Sequence, residues 1–141
     1  MINAITFYRI EKWLFKYKIP LLPRIIKLFI FLIYNSSIPY QCKIGKGTRF
    51  SYGGIAIVIH KRTVIGENCI IGSGVTFGGR SGIKEVPTIG DNVYVASGAK
   101  IIGNVNIGNN VTIGANSVII NDIPENAVVV GVPGKIIKYN S

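Results

Sequence analysis

The sequence predicts a β-solenoid preceded by a short helical segment, and three observations lead to that fold. From Ile59 to Ile119 every sixth residue is Ile, Val or Phe, and glycine or another small residue follows most of these positions. A period of six matches neither the helical repeat of about 3.6 nor the strand repeat of two, so the chain must turn a corner in each hexad and stack on itself. Residues 1–40 lack this repeat and are basic and amphipathic instead.

The first predicted element is a basic amphipathic helical segment that spans residues 1–40. It carries six Lys and Arg residues against the single acid Glu11, so half of the net charge of +10 lies there. At about 100° per residue, a helix ending near Pro20 has an apolar face opposite a basic face. The apolar face consists of Phe7, Ile10, Leu14 and Tyr17, and the basic face of Arg9, Lys12 and Lys16.

A second apolar run, from Ile25 to Tyr34, follows Pro23 and predicts a second helix. The run is well short of the ~20 residues that cross a bilayer, and the segment lacks the small-residue cleavage site of a signal peptide. Two interpretations remain open. In one, residues 5–34 make a peripheral contact with the inner face of an anionic membrane. In the other, the helices cap the open first coil or cover a neighbouring subunit, and the lysines face solvent. No base-reading motif accompanies the basic residues, so no nucleic-acid partner is expected.

Residues 41–141 form the second predicted domain, a solenoid with a C-terminal cap. Three hexads make one triangular coil with the aliphatic residues on its axis, and residues 18 apart stack, as Ile71 would on Ile89 and Ile107. The glycines suit corners where the backbone bends sharply or takes a positive φ. Asparagines suit the same turns, at Asn68, Asn92, Asn110 and Asn116. The apolar tail from Ala127 to Val132 is expected to pack across the last coil and cap it.

Few side chains are available for metal or redox chemistry. Cys42 and Cys69 lie in unrelated contexts without metal-ligand spacing, which is typical of free thiols in a reduced, cytoplasmic compartment. His60 is the only histidine. A carbonic-anhydrase-like zinc site on a solenoid needs three histidines and is therefore excluded, so no metal is expected.

Four motifs between about residues 43 and 138 resemble those of a known superfamily. They are Val75-Thr76-Phe77-Gly78-Gly79, Pro87-Thr88-Ile89-Gly90-Asp91-Asn92-Val93-Tyr94-Val95, Gly98-Ala99-Lys100-Ile101-Ile102-Gly103, and Asn121-Asp122-Ile123-Pro124 with Gly131-Val132-Pro133-Gly134-Lys135. The chain resembles the left-handed β-helix acyltransferases of the hexapeptide-repeat superfamily, in particular the serine acetyltransferase-like branch. The resemblance implies a left-handed coil, a homotrimer with each active site between two subunits, and acetyl-CoA as co-substrate. The period alone indicates only a solenoid.

The candidate catalytic residues are His60, Gly78 and Gly79. Acyl transfer from a thioester to a hydroxyl needs a base for the hydroxyl proton, and imidazole, with a pKa of ~6.5, is suited to that role. His60 follows an inward aliphatic residue, which predicts a corner beside a groove. The backbone N–H groups of the Gly pair are candidates for stabilising the oxyanion of the tetrahedral intermediate.

The resemblance also implies binding residues. Small residues that match the coenzyme A groove of the superfamily are Ala96, Ser97, Gly98, Gly114 and Ala115. Lys135 and Lys138 match basic residues near the nucleotide and suit phosphate. Arg80 and Glu85 are candidates for orienting the acceptor or His60. They lie in the excursion from Arg80 to Val86, which keeps the hexad phase through Ile83 and is expected to be a distorted coil edge.

The chain departs from serine acetyltransferases at two histidine positions. The aligned positions fall near Tyr52-Gly53 and at Val86-Pro87, and neither keeps a histidine. The segment Ile57-Val58-Ile59-His60 instead resembles small acetyltransferases of surface-glycan pathways. The primary interpretation is therefore an acetyl-CoA-dependent O-acetyltransferase that acts on a hydroxyl of a sugar or glycan precursor. The alternatives are a serine O-acetyltransferase and a non-catalytic solenoid scaffold at the membrane surface.

Overall fold

The computed structural model describes residues 2–140, which form two helices followed by a parallel β-solenoid. Helix α1 spans Ala4–Lys16 and α2 spans Leu22–Tyr34. A 3₁₀ turn at Ser51–Gly54 separates β2 from β3. The strands are β1 Lys43–Ile44, β2 Arg49–Phe50, β3 Val58–Ile59, β4 Val64–Ile65, β5 Ile70–Ile71, β6 Thr76–Gly78, β7 Thr88–Ile89, β8 Tyr94–Val95, β9 Lys100–Ile102, β10 Asn106–Ile107, β11 Thr112–Ile113, β12 Val118–Ile119, β13 Ala127–Val130 and β14 Lys135–Tyr139.

The strands stack into three faces of a triangular prism. Face 1 has the order β1-β4-β7-β10, face 2 has β2-β5-β8-β11-β13-β14, and face 3 has β3-β6-β9-β12. Every pairing is parallel except that of β13 with β14. Two corners matter for the site. The histidine corner is the turn from face 3 to face 1, at residues 60–63, 79–87 and 103–105. The small-residue corner is the turn from face 2 to face 3, at residues 72–75, 96–99 and 114–117.

The six-residue repeat builds the core, as the sequence predicted, with one exception. Ten of its eleven positions are at most 3% exposed, whereas Ile83 is 38% exposed. The hexad around Ile83 leaves the prism, so Ile71 pairs with Val95 and not with Ile89, 18 residues away. The predicted stacking of Ile71 on Ile89 is therefore wrong. Ile89 does stack on a residue 18 positions away, Ile107, above the excursion.

The glycines after the inward residues are explained by the spacing of the coils. A Cβ on Gly66 would lie 2.4 Å from the Gly90 carbonyl oxygen, and one on Gly72 would lie 2.5 Å from the Ser97 nitrogen. Neither glycine takes a positive φ. The corner asparagines do, with φ between 55° and 60°, at Asn68, Asn92, Asn110 and Asn116. The two residue types thus have different roles. Glycine allows the backbones of neighbouring coils to approach closely, and asparagine adopts the left-handed conformation of the turn.

Helix α1 packs on the first coil through a face that differs from the predicted one. Asn3 caps its N-terminus, because the side chain accepts the Ile5 N–H at 3.1 Å and donates to the Phe50 carbonyl at 2.7 Å. Ile10 and Tyr17, predicted on the apolar face, are 44% and 58% exposed. The buried residues lie about a quarter-turn away, because the solenoid covers one side and α2 another. They are Ala4, Ile5, Tyr8, Glu11 and Leu14.

Two basic side chains of α1 tie the helix to the open end of the solenoid. The Lys12 ammonium donates to the Cys42 carbonyl at 2.7 Å, and the Arg9 guanidinium donates to the Gly45 carbonyl at 3.0 Å. The hydroxyl of Tyr8 also donates to the Cys42 carbonyl, at 2.7 Å. The geometry therefore agrees with the expectation that the helices cap the first coil.

The helix boundaries differ modestly from the predicted ones. Helix α1 ends at Lys16, before Pro20, and α2 begins at Leu22 with Pro23 in its first turn, where a missing N–H costs little. No helix in the described part of the chain has the length and apolar character needed to cross a membrane.

The C-terminal tail extends the solenoid and then reverses. Strand β13 continues face 2, with Val129 pairing with Ile113, instead of crossing the last coil. The turn that follows does cover the end of face 3, because Val118 donates to the Gly131 carbonyl and accepts from the Gly134 N–H. Strand β14 then returns antiparallel along β13 and is exposed throughout.

Candidate active site

His60 lies at the histidine corner, directly after β3. Its N–H donates to the Phe77 carbonyl of β6 at 2.8 Å, and its carbonyl accepts the Thr63 N–H at 2.9 Å. The first bond joins the corner to the next coil, and the second closes the turn of the corner itself. The side chain is partly exposed and lies at a corner, as the sequence predicted.

A backbone bond fixes the orientation of the imidazole. The Arg62 N–H donates to Nδ1 of His60 at 3.1 Å. Neutral imidazole carries one N–H, so in this arrangement the ring proton lies on Nε2. Nε2 is the ring nitrogen next to Gly79. The ring can therefore accept a proton at Nε2 only after it exchanges tautomers.

The surroundings of His60 favour its neutral form. Burial lowers the pKa of His60 below its usual 6.5, and the positive charges of Arg62 and Lys61 lower it further. The imidazole is therefore uncharged at neutral pH. An uncharged ring is what a general base requires.

Gly79 lies against the His60 ring, as its predicted role requires. A Cβ built on Gly79 would lie 3.7 Å from Cδ2 of His60, 4.0 Å from its Nε2 and 3.7 Å from Cγ1 of Val86. The N–H of Gly79 makes no hydrogen bond within residues 2–140. It is therefore available to a developing oxyanion. Gly78 belongs to β6, where it pairs with Ile102, and its carbonyl accepts the Gly103 N–H at 2.9 Å.

The excursion from Arg80 to Val86 is a loop outside the prism and not the expected distorted coil edge. The Ile83 N–H donates to the Arg80 carbonyl at 3.0 Å, which closes a tight turn. The Arg62 guanidinium donates to the Lys84 carbonyl at 2.5 Å and anchors the loop to the corner that holds His60. The Arg80 side chain extends over Gly103, with its Cβ 3.4 Å from where a Gly103 Cβ would be, and Glu85 is exposed.

The predicted cofactor residues align along the small-residue corner in adjacent coils. Ala96 donates to the Ile113 carbonyl and Gly114 to the Val129 carbonyl, so the two positions stack. Ser97 accepts a hydrogen bond from the Ser73 hydroxyl at 3.2 Å, Gly98 takes the turn with φ 79°, and Ala115 is exposed. No bulky side chain occupies these positions, so the corner fits a narrow, extended ligand.

The two predicted lysines lie beyond this corner on β14. Lys135 pairs with Val130, whose Cγ1 would lie 2.8 Å from a Cβ on Gly114. Lys135 therefore lies near the end of the small-residue corner. Lys138 pairs with Val128, further along the same face, and both lysines are exposed.

The structure separates the two predicted groups of site residues within one chain. His60 and Gly79 lie at the histidine corner, whereas Ala96, Gly114 and Lys135 lie at or near the small-residue corner, across face 3. A site that uses both groups must extend across that face or be completed by a neighbouring copy.

Sequence reasoning missed two residues of the histidine corner. Arg62 orients His60 through its N–H and holds the loop through its guanidinium, and Val86 packs beside Gly79. The only sequence signal for Arg62 was its position two residues after the histidine. Among residues 2–140, no group of three or more His, Cys, Asp or Glu side chains is placed to hold a metal ion. Cys42 and Cys69 are buried free thiols, and burial raises the pKa of the Cys42 thiol to about 12.

Comparison with known proteins agrees with the fold. Residues 87–121 match the family described as bacterial transferase hexapeptide (six repeats). The chain is 38% identical to a serine acetyltransferase of Synechococcus elongatus over 96% of its own length and 56% of that protein. It is 39% identical to a serine acetyltransferase of Staphylococcus xylosus, over 99% and 65% respectively.

A solved structure is similar over nearly the whole chain. The serine acetyltransferase of Brucella abortus in complex with coenzyme A superposes with a TM-score of 0.91 at 29% identity, over 98% of this chain and 56% of that one. The chain thus spans between half and two thirds of the length of these relatives. The parallel coils are those of a left-handed β-helix. The chain thus has the hexapeptide-repeat, left-handed β-helix fold, and the relatives that it resembles are serine acetyltransferases.

Proposed function

We propose that the chain is an acetyl-CoA-dependent O-acetyltransferase with His60 as general base. The observation that carries this proposal is that a neutral, oriented imidazole lies beside the open side of Gly79, where a Cβ would meet it. The likeness to solved serine acetyltransferases, one of them in complex with coenzyme A, supports the same chemistry.

The proposed reaction needs one proton transfer in each direction. His60 takes the proton from the acceptor hydroxyl as that oxygen attacks the thioester carbonyl carbon. The Gly79 N–H donates to the oxyanion of the tetrahedral intermediate. The imidazolium then returns the proton to the sulfur as the carbon–sulfur bond breaks, which leaves the O-acetyl ester and free thiol. Acetyl-CoA supplies the activated acetyl group.

The hydrogen bond from Arg62 to Nδ1 is compatible with this role. Proton abstraction by Nε2 requires the other ring tautomer and the loss of that bond. A single partly exposed hydrogen bond contributes about 0.5–1.5 kcal/mol. General-base catalysis by a factor of 10²–10⁴ corresponds to a barrier lowered by roughly 3–5 kcal/mol. Losing the bond from Arg62 therefore costs less free energy than general-base catalysis provides.

The acceptor we propose is the hydroxyl of serine or of a similarly small molecule. The relatives are serine acetyltransferases, and one solved relative is in complex with cysteine, an isologue of serine. The sugar or glycan acceptor expected from the sequence gains no support from these relatives. The residues near Tyr52-Gly53 and at Val86-Pro87 differ from the family's histidines, so sugar acceptors belong in the same assay.

Thermal melting with and without acetyl-CoA tests the donor. A ligand at about 100 times its Kd raises the free energy of unfolding by roughly 2.7 kcal/mol, so we expect a clear rise in Tm. Release of free thiol is then compared for serine, N-acetylated sugars and nucleotide sugars. Turnover with serine supports the proposal. Turnover with sugars alone shows that the acceptor is a sugar hydroxyl. No rise in Tm at millimolar acetyl-CoA contradicts the enzyme and favours a scaffold.

We also propose that the active site forms between two subunits of a homotrimer. The support is the separation of the two site groups, since the histidine corner of one copy can complete the small-residue corner of its neighbour. Cyclic symmetry then repeats the same cleft three times.

Mixed assemblies test the shared site. We expect His60→Ala and Ala115→Trp each to be inactive, the second because indole fills an exposed position of the proposed groove. Co-expression of the two variants should restore about a quarter of the sites, those that pair an intact histidine with an intact groove. Subunit counting by light scattering checks the trimer. Complete inactivity of the mixture contradicts the shared site.

Replacement of Arg62 by glutamine should change both the pH profile and acceptor binding. Without the guanidinium, the pKa of His60 rises towards its usual value, so the acid limb of the pH–rate profile moves to higher pH. The acceptor KM should also rise, because the loop loses its anchor at the Lys84 carbonyl. Lys61→Gln is the matched control, since it removes an adjacent charge that also lowers the pKa of His60. It should move the acid limb and leave the acceptor KM unchanged. An unchanged KM in both variants contradicts the anchoring role.

A further inference from the structure

The two-helix hairpin leaves a large apolar surface uncovered. In α2 only Pro23, Ile30 and Tyr34 are buried. Seven large apolar side chains of the same helix are between 42% and 68% exposed: Leu22, Ile25, Leu28, Phe29, Phe31, Leu32 and Ile33. An apolar patch of this kind marks a surface that contacts something other than water.

The exposed apolar residues of α2 centre on the side opposite its buried face. At about 100° per residue, Ile25, Leu28 and Leu32 form the centre of this sector. Arg24 and Lys27 lie between it and the buried face on one side, with the exposed Phe31 between them. This division is typical of a helix that lies in the plane of a membrane surface, with its apolar sector among the acyl chains and its cations among the headgroups.

The hairpin exposes several cations and no acidic side chain. The exposed cations are Arg9, Lys16, Lys18, Arg24 and Lys27. The only acid of the segment, Glu11, is 0% exposed. An anionic partner therefore meets attraction over the whole hairpin, whereas a second copy of the hairpin brings like charges together.

A cationic cavity lies at the loop between the two helices. It has a volume of about 590 Å³, and Lys16, Lys18 and Arg24 line it together with Phe15 and Tyr40. The three cations in its lining can attract the phosphate of a lipid headgroup, and its apolar residues suit the adjoining acyl chains.

Aromatic side chains border the same end of the hairpin. The rings of Trp13 and Tyr17 lie 4.8 Å apart, and the Lys16 ammonium lies 5.7 Å from the Tyr17 ring centroid. Both rings are more than half exposed. Trp and Tyr beside basic residues are characteristic of the interface between headgroups and acyl chains.

We propose that the α1–α2 hairpin docks on the surface of an anionic lipid bilayer, with a headgroup phosphate in the cavity of Lys16, Lys18 and Arg24. The exposed sector of α2 enters the acyl boundary, and the aromatic rings lie at the headgroup level. The proposal does not depend on the acetyltransferase activity, because binding to lipid is measured without substrate.

Co-sedimentation with vesicles tests the docking. The full chain is mixed with large unilamellar vesicles of phosphatidylcholine containing about 30% phosphatidylglycerol, or of phosphatidylcholine alone. We expect binding to the anionic vesicles that weakens between about 0.1 M and about 0.5 M NaCl, and little binding to the neutral ones. Equal binding to both vesicle types, or to neither, overturns the proposal.

Two sets of variants separate the hairpin from general charge. Lys16→Gln, Lys18→Gln and Arg24→Gln together should weaken anionic-vesicle binding by about 100-fold, because each cation near the surface contributes several-fold. The matched control changes three exposed cations of the first coil to glutamine, at Lys43, Lys46 and Arg49. It removes the same charge and should bind within about 3-fold of the unchanged chain. Equal loss in both sets contradicts docking through the hairpin.

The apolar sector has its own test. Leu28→Ser with Leu32→Ser replaces two exposed leucines, so the melting curve should stay unchanged while vesicle binding falls. Light scattering measures the mass of the same variant. A smaller assembly, with vesicle binding retained, shows that α2 instead contacts a second copy of the chain and overturns the proposal.

Discussion

Replacement of His60 by alanine is expected to lower kcat by about 10²–10⁴-fold, which is the usual contribution of a general base. Coenzyme A binding should stay unchanged and Tm should fall only slightly, because the bond to the next coil uses the His60 N–H and only the partly exposed bond from the Arg62 N–H to Nδ1 is lost. Steady-state release of thiol measures kcat, and a melt with coenzyme A measures binding. His60→Asn should be equally impaired, since the amide oxygen can accept the Arg62 N–H but cannot take up a proton.

The control for this loss is Ile120→Ala. Ile120 follows β12 at the same corner as His60 follows β3, and it is 49% exposed. Its truncation removes a side chain from the corner at the far end of the prism and should leave kcat unchanged. If His60→Asn keeps the turnover of the unchanged chain, the histidine has no role in proton transfer.

The second large effect concerns stability and comes from Glu11. Both carboxylate oxygens of Glu11 are buried without a hydrogen-bond partner. Burial raises its pKa from 4.5 to about 8, although the charges of Lys27 and Lys12 lower it. A raised pKa means that the folded state prefers the protonated acid. The contribution of this preference to the free energy of unfolding is fully present below pH 4.5. It is lost as the pH rises through about 8.

Glu11→Gln should remove this loss. Glutamine stays neutral, so the variant should unfold like the unchanged chain near pH 4.5 and be more stable by up to roughly 5 kcal/mol above pH 8. That difference corresponds to a rise in Tm of about 10 °C or more. Melts between pH 4.5 and 9 measure it. Glu67→Gln, which removes an exposed acid of the solenoid, is the matched control. Parallel pH profiles for the unchanged chain and Glu11→Gln contradict the buried neutral acid.

The solenoid could be predicted because the burial and turn requirements of each coil are local and recur in the sequence. A buried aliphatic residue every sixth position and left-handed asparagines, as at Asn92 and Asn110, are local demands that the sequence displays directly. Ile83 shows the limit of that reasoning. It keeps the hexad phase but lies outside the prism, since phase alone does not say which hexad the stack leaves out.

The helical segment was harder to predict because its environment is long-range. A helical projection shows which residues share a face, but not which face meets the solenoid. Glu11 is buried while Ile10 and Tyr17 are exposed, because contacts with distant residues such as Cys42 decide the orientation of α1. Hydrophobicity alone gave no signal for that outcome.

The candidate site was predictable in its chemistry and less so in its arrangement. A lone histidine and a glycine pair pointed to His60 and Gly79, and the structure places the two side by side. The roles of Arg62 could not be predicted, because its contacts with Nδ1 of His60 and the Lys84 carbonyl depend on the path of the loop. The two separate corners likewise follow from the three-sided coil and not from any motif.

The extruded hexad leaves the coils above and below it in register. Ile65 pairs with Ile89 and Phe77 with Ile101, on either side of the loop that begins at Gly79. The strand pairings of the prism therefore form without the loop and do not depend on its length. Insertions, deletions and substitutions there can change what is presented to the imidazole while the prism keeps its stability. Such a division lets natural selection vary the loop on an unchanged scaffold.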